Sequence, residues 1–225
     1  MEVTILMPCL NEENTVEICI NKSLNFLNKN NINGEILIVD NGSKDKSIEK
    51  IKATKARLIK EEFKGYGSAL ITGIKNAKGK YVIIGDSDDS YDFNNLMPFI
   101  IKLRENNDLV IGNRFKGGIE KGAMPFLHKL GVPFLTFLGN IIYKTKLGDY
   151  HCGLRGFNKE KILNLNLECL GMDFASELII KSKKANYKIV EIPIILKKDG
   201  RERKSHLRTF KDGMLHVKCL LRYRK

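Results

Sequence analysis

Two carboxylates one residue apart, Asp86 and Asp88, stand in the run Asp86-Ser87-Asp88-Asp89, directly behind the apolar stretch Tyr81-Val82-Ile83-Ile84-Gly85. A short apolar run of this kind reads as a buried strand, and open α/β sheets bind ligands beyond the carboxyl ends of their strands. Where a strand opens into a loop, carboxylates at i and i+2 can turn toward one hard divalent cation. Mg2+ and Mn2+ are the common choices, and such an ion fills its remaining positions with phosphate oxygens and water. The spacing therefore points to a metal-held diphosphate. The competing reading is an ordinary turn, which Asp and Ser also build.

The elements that must position these carboxylates alternate along the chain. Val3 to Met7 reads as a strand, and Glu12 to Leu27 as a helix with its apolar stripe on Val16, Ile20, Leu24 and Leu27. Glu35 to Val39 is a second strand ending at Asp40, followed by the turn Asn41-Gly42-Ser43 and a helix from Lys46 to Ala53. Arg57-Leu58-Ile59 is a short third strand, Gly65-Tyr66-Gly67 precedes a helix from Ser68 to Ala77, and the strand at 81–84 delivers Asp86. A helix from Asn94 to Arg104 and a strand from Leu109 to Gly112 complete the regular part. Strands separated by helices predict an α/β fold with a mostly parallel central sheet and helices on both faces, because parallel neighbours need crossovers. Beyond it lie a loop from Asn113 to Met124, an apolar helix near 131–143, a polar segment from Gly148 to Phe157, a helix from Phe174 to Lys184 and a strand from Lys188 to Ile192 stopped by Pro193.

The 225 residues, 43% of them hydrophobic, suffice for a full core and fit one domain over residues 1–204, with a tail over 205–225. The formal charge of +13 is concentrated at the end: eleven Lys or Arg lie between Lys197 and Lys225, against Asp199, Glu202 and Asp212. Such a basic end implies an anionic partner. In the tail Leu207, Phe210, Met214, Val217 and Leu221 recur at helical spacing among Arg208, Lys211, Lys218, Arg222 and Arg224. This is a basic amphipathic helix, suited either to an anionic membrane surface or to docking on the domain with a solvated basic side. No zinc finger or RNA-binding signature accompanies the charge, so nucleic acid is not an expected partner. Five scattered cysteines form no Cys-x-x-Cys pair, which predicts a reducing cytoplasm without disulfides or zinc. Residues 1–30 lack the pattern of a secretory signal. Gly131 to Tyr143 is shorter than the roughly 20 apolar residues a membrane span requires and reads as a core helix or an interfacial one.

Three motifs in order, Pro8-Cys9-Leu10-Asn11-Glu12-Glu13, Val39-Asp40-Asn41-Gly42-Ser43-Lys44-Asp45 and Asp86-Ser87-Asp88-Asp89-Ser90-Tyr91, make the chain resemble family 2 glycosyltransferases of the GT-A fold. The resemblance extends through Gly112 to Phe115, Asp149 to Phe157, Phe174 to Glu177 and Glu191 to Ile194, and is strongest toward dolichyl-phosphate and polyprenyl-phosphate hexose synthases. That branch implies transfer of mannose or glucose from a UDP- or GDP-sugar to a lipid phosphate, with inversion, by an enzyme peripheral on the cytoplasmic face of the membrane. It also implies site roles. Pro8, Asn11, Glu12, Asp40, Gly42, Lys64, Gly67, Asp86 and Ser87 match the nucleotide-sugar site, and Asp86 and Asp88 the Mg2+ or Mn2+ ligands. Arg114, Arg155, Arg201, Arg203 and Ser205 match positions that hold the acceptor phosphate. Asp88, Arg114, Asp149, Arg155 and Glu177 are the catalytic candidates.

The acceptor decides the chemistry. A hydroxyl must lose its proton as it attacks, so that reaction needs a general base, for which Asp149 and Glu177 are the candidates. A phosphate acceptor is already anionic, and positioning with charge stabilisation suffices. The expectation is the phosphate acceptor. Alternatives are a sugar-hydroxyl acceptor in cell-surface polysaccharide synthesis, and a non-catalytic nucleotide-sugar-binding membrane scaffold. A nucleotidyltransferase is disfavoured because Pro8-Cys9-Leu10-Asn11 is not a glycine-rich triphosphate loop.

Overall fold

The computed structural model describes residues 1–201 and 209–224. Its strands are β1 (Val3–Cys9), β2 (Gly34–Asp40), β3 (Arg57–Lys60), β4 (Tyr81–Ile84), β5 (Leu109–Asn113), β6 (Arg155–Asn158) and β7 (Ile189–Pro193). The helices are α1 (Val16–Lys29), α2 (Ser47–Lys52), α3 (Tyr66–Asn76), α4 (Met97–Arg104), α5 (Arg114–Gly117), α6 (Phe126–Tyr143), α7 (Lys159–Leu163), α8 (Phe174–Lys184) and α9 (Thr209–Arg222). The strands form a 7-stranded sheet in the order β3-β2-β1-β4-β6-β5-β7. Parallel pairs join β1 to β2 and β4, β2 to β3, and β5 to β7, while β6 runs antiparallel to β4 and β5.

Ile5 to Met7, Ile36 to Val39, Val82 to Ile84 and Leu109 to Ile111 are buried at successive positions. Side chains alternate between the two faces of a strand, so burial without alternation means that both faces are covered, as in a parallel sheet flanked by crossover helices. From β1 the chain builds outward through β2 to β3, then returns to lay β4 on the other side of β1. The carboxyl ends of β1 and β4 thus flank a topological switch point, the position at which such sheets open a crevice.

The second half departs from expectation in several places, among them the short helix α5 inside the stretch read as a loop. The segment read as polar, 148–157, ends in the strand β6, whose residues Arg155, Gly156 and Phe157 pair with both β4 and β5. Four residues that begin with Arg and Gly carry no period-2 pattern; pairing with strands distant in sequence makes this a strand. Helix α6 begins at Phe126 rather than near 131 and carries Pro133 within it. It runs parallel to α9, pinned at one end by His128 Nε2 to Thr209 Oγ1 (2.9 Å) and at the other by the Tyr143 hydroxyl donating to the Leu220 carbonyl (2.7 Å). The buried face of α9 is His216, Cys219 and Leu220, so Met214 and Leu221 of the expected stripe point outward.

Candidate active site at the carboxyl ends of the first, second and fourth strands

Strand register places Cys9 beside Asp40 and Leu6 beside Ile84, so the loops leaving β1, β2 and β4 emerge together. They are tied to one another. The Asn11 N–H donates to Ser43 Oγ (2.7 Å), Asn11 Oδ1 accepts from the Lys44 N–H (2.6 Å), and Ser87 Oγ donates to the Pro8 carbonyl (2.7 Å). Asp40 is buried and folds onto its own turn, accepting from the N–H groups of Gly42 (3.0 Å) and Ser43 (3.2 Å). Gly42 holds φ 94°, a conformation that suits glycine. Lys64 is exposed and donates to the Asn41 carbonyl (2.7 Å), which lays it beside this turn. Pro8, Asn11, Glu12, Asp40, Gly42, Lys64, Asp86, Ser87 and Asp88 therefore belong to one constellation.

Gly67 does not join it. A Cβ at Gly67 would lie 2.1 Å from the Cys169 carbonyl oxygen, and the Ser68 N–H is taken by the Leu170 carbonyl (3.1 Å). This glycine is required by the close approach of α3 to residues 169–171.

Asp86 Oδ1 accepts from the Tyr66 hydroxyl (3.0 Å). Burial, then the charge of Asp88, pushes the Asp86 carboxyl above its ordinary range, so two neighbouring carboxylates here demand a cation. Among the described residues Arg201 supplies a cation to this pair. Its Nη2 lies 3.0 Å from Asp88 Oδ2 and 2.8 Å from Glu12 Oε1, and its Nε donates to both Glu12 oxygens (2.9 and 3.0 Å). Burial alone would lower the Arg201 pKa, but Glu12 and Asp88 raise it well above the usual value. Two backbone bonds place it there: the Lys197 N–H donates to the Ser90 carbonyl (2.9 Å) and the Gly200 N–H to the Asp88 carbonyl (2.9 Å). Arg203 and Ser205 lie outside the described residues.

Among the described residues no group of three or more His, Cys, Asp or Glu is arranged to hold a metal ion. Asp86 and Asp88 nonetheless fit Mg2+ or Mn2+, ions bound through one or two carboxylates with phosphate and water oxygens supplying the rest. The other Asp88 oxygen accepts from the Ser90 N–H (3.1 Å) and hydroxyl (2.6 Å), which fixes the direction in which Oδ2 points.

The remaining candidates are held by partners within the protein. Asp149 is fully buried and grips Arg114 in a two-pronged pair, Nε to Oδ2 at 2.7 Å and Nη2 to Oδ1 at 2.8 Å. Burial would lower the Arg114 pKa, but this pairing carries it well above the usual value. Both Asp149 oxygens are thereby taken by Arg114, whose guanidinium keeps the two N–H groups of Nη1 and the second of Nη2 for another partner. Arg155 is buried with its three side-chain nitrogens on the carbonyls of Cys152 (2.7 Å), Ala175 (2.8 Å) and Tyr150 (2.6 Å). It organises the loop 149–155 rather than presenting a fork to a phosphate. Glu177 is fully buried and accepts from the N–H groups of Glu168 (3.0 Å) and Cys169 (2.8 Å), the Tyr223 hydroxyl (2.8 Å) and Lys181 (2.8 Å). Burial would raise its pKa, yet these donors, Lys181 foremost, lower it. In this ligand-free structure Arg155, Asp149 and Glu177 are thus each engaged by protein partners.

Residues not singled out from sequence also build the site. Tyr66 supports Asp86, and the Tyr91 hydroxyl accepts from the Gly153 N–H (2.9 Å), bringing Gly153 so close to Asp86 that a Cβ there would lie 2.6 Å from Oδ2. Glu191 accepts from the N–H groups of Gly148 (2.8 Å) and Asp149 (2.9 Å). In the sequence Tyr66 stands between two glycines, and Tyr91 closes the motif that begins at Asp86.

The model of glycosyl transferase family 2 matches residues 4–165. The chain belongs to this family. It is 34% identical over 221 residues to the low-salt glycan biosynthesis hexosyltransferase Agl6 of Haloferax volcanii, covering 97% of this chain and 53% of that protein. To the dolichol-phosphate mannosyltransferase of Pyrococcus furiosus it is 27% identical over 232 residues, covering 99% of this chain and 64% of that protein. The chain thus spans between half and two thirds of the length of these relatives. The crystal structure of glucosyl-3-phosphoglycerate synthase from Mycobacterium tuberculosis with Mn2+, UDP and phosphoglyceric acid matches with a TM-score of 0.76 at 20% identity, over 99% of this chain and 78% of that one. The fold of this family 2 member is the GT-A glycosyltransferase fold.

Proposed function

We propose that this glycosyltransferase moves a hexose from a UDP- or GDP-sugar to a dolichyl or polyprenyl phosphate, with inversion, while attached peripherally to the cytoplasmic face of a membrane. The observation that carries the choice of acceptor is the commitment of both candidate bases, Asp149 to Arg114 and Glu177 to the 168–169 backbone and Lys181. A hydroxyl acceptor would need a general base, for which these two were the candidates. An oxygen of an acceptor phosphate carries its charge already; it forms the new bond to the anomeric carbon as the bond to the nucleoside diphosphate breaks, and no proton has to be removed. The names of the P. furiosus relative and of a dolichyl-phosphate hexose transferase of H. volcanii, 29% identical over 171 residues, support this acceptor class.

Asp40, with Pro8, Asn11 and Gly42, lines the nucleoside end of the cleft, and Lys64 reaches over its turn. Asp86 and Asp88 would hold Mg2+ or Mn2+, as the bound ions in fold neighbours suggest. When bound, that ion supplies counter-charge to the departing diphosphate. Arg201, freed from Glu12 and Asp88 as the donor site fills, would turn its guanidinium fork toward phosphate.

The test incubates the purified chain with Mn2+ or Mg2+, a panel of UDP- and GDP-hexoses and a short-chain polyprenyl phosphate, reading products by mass. Formation of a glycosyl phosphopolyprenol that disappears with Asp86→Asn or Asp88→Asn is expected. Transfer to sugar hydroxyls alone, or turnover indifferent to both substitutions, overturns the reading.

A further inference from the structure

We propose that His216 of α9 is a positioning residue for the active-site loop 149–155, which it holds through Ser176 of α8 and His151 of the loop itself. His216 Nδ1 lies 2.9 Å from the Ser176 hydroxyl oxygen, and His151 Nε2 lies 3.3 Å from that same oxygen. The two imidazole rings meet edge to face, their centroids 4.2 Å apart. Ser176 is fully buried and His216 is buried as well. Three segments far apart in sequence are thereby joined at one hydroxyl.

The protons of this junction give it a direction. Both rings are neutral: burial, then His216, Arg155 and Arg114, hold the His151 imidazole well below its ordinary pKa, and burial with Arg155 brings His216 down to about 4. A hydroxyl has one proton to donate, so one ring receives it and the other ring donates to the oxygen. His151 Nδ1 is buried without a partner, and an unpaired buried N–H is rarer than an unpaired lone pair. The His151 proton therefore sits on Nε2 and is donated to Ser176, Ser176 donates to His216 Nδ1, and His216 carries its own proton on Nε2.

From His151 the connection runs into the site. The His151 N–H donates to Asp149 Oδ1 (3.2 Å), the oxygen that also accepts from Arg114 Nη2 (2.8 Å). Two residues further on, Gly153 presses against Asp86. Arg155 grips the same loop at the Tyr150 carbonyl and ties it to α8 at the Ala175 carbonyl, beside Ser176. Helix α9 is seated independently of the loop, by the Tyr143 hydroxyl on the Leu220 carbonyl and by the Tyr223 hydroxyl on Glu177. The junction at Ser176 thus transmits the position of α9 to Asp149 and Arg114 through a continuous set of packed and hydrogen-bonded groups.

The transfer proposed above uses neither histidine. The inference rests on that reading for the meaning of the loop, so its first test needs neither donor nor acceptor. Amide hydrogen exchange of residues 149–154 is followed in the full chain for the parent, Ser176→Ala, His216→Leu and His216→Asn. Leucine fills the space of the ring without an acceptor, whereas the asparagine carbonyl stands close to the place of Nδ1. Exchange in this loop is expected to quicken about tenfold in S176A and H216L, to return toward the parent rate in H216N, and to stay unchanged in β1 and β2. Histidine 15N resonances of the parent should show His151 protonated at Nε2 alone.

The second test is steady-state transfer. S176A and H216L should lower kcat about tenfold with KM for the donor within about twofold, H216N should recover most of the loss, and S176A with H216L should be no worse than either alone. Loop exchange unchanged in S176A and H216L, a His151 proton on Nδ1, or H216N as impaired as H216L would overturn the proposal. So would a quickened loop with parental kcat. A chain without transfer activity would overturn the transferase reading instead, with the exchange and 15N results still deciding whether α9 holds the loop.

Discussion

Replacing Arg201 with Ala should make the free protein bind Mn2+ more tightly, although it removes a residue from the site. In the protein, Arg201 Nη2 lies 3.0 Å from Asp88 Oδ2, so an ion that uses this oxygen must first displace a guanidinium. Unit charges at that separation attract by about 1.4 kcal/mol even at the dielectric constant of water, and by severalfold more at the effective value near 20 of partly buried sites. Since about 1.4 kcal/mol is a factor of ten in affinity, R201A should lower the Kd for Mn2+ by at least about tenfold. Loss of the cation beside Asp88 should also destabilise the ion-free protein, by up to about 3 kcal/mol, the lower end for breaking a buried pair. Mn2+ should then raise the melting temperature of R201A by more than it raises that of the parent. Electron paramagnetic resonance of free Mn2+, titrated with parent, R201A and R201K in the absence of nucleotide, measures the affinity directly; R201K keeps the charge and should stay near the parent. A folded R201A with Mn2+ affinity equal to or weaker than the parent would refute the reasoning, because Arg201 and the ion would then not compete for Asp88.

Three further outcomes follow from the buried polar contacts. Asp149→Asn leaves the Arg114 guanidinium buried beside a neutral amide and should cost about 3–5 kcal/mol in urea denaturation, much of it recovered by the double substitution Arg114→Met with Asp149→Leu. Glu177→Gln should lower stability by about 1–3 kcal/mol, because an amide N–H would face existing donors, while single-turnover transfer stays far from the loss of about 100-fold or more that removal of a general base brings. His216 is held down to about 4 from 6.5, by burial and then by the positive charge of Arg155. Its folded pKa lies below its unfolded one, so this contribution is fully present above pH 6.5 and is lost as pH falls toward 4. Thermal melts should show up to about 3 kcal/mol of acid destabilisation in the parent that His216→Asn lacks.

Much of the donor half was legible in the chain because it is written locally. Val3 to Met7, Ile36 to Val39 and Val82 to Ile84 are unbroken apolar runs apart from Thr4, and a parallel strand covered on both faces requires just such a run. Each is followed within five residues by polar residues, Asn11 and Glu12, Asp40, and Asp86 with Asp88, so naming the strands located the loops. The alternation of strands and helices then implied the sheet and its crevice.

What only the tertiary structure decided depends on partners far along the chain or on the direction of a face. Arg155, Asp149 and Glu177 carry the residue types of catalysis, but their roles follow from what reaches them: carbonyls at 150, 152 and 175, the Arg114 fork, and the N–H groups of 168 and 169. Strand β6 exists because β4 and β5 offer it edges, and Arg201 meets Glu12 across 189 positions of sequence. Periodicity reveals that a helix has an apolar side without saying where that side points. For α6 the answer came from Thr136, Gly139 and Asn140, which lock onto Tyr150 and Leu147 and so turn that side away from the core.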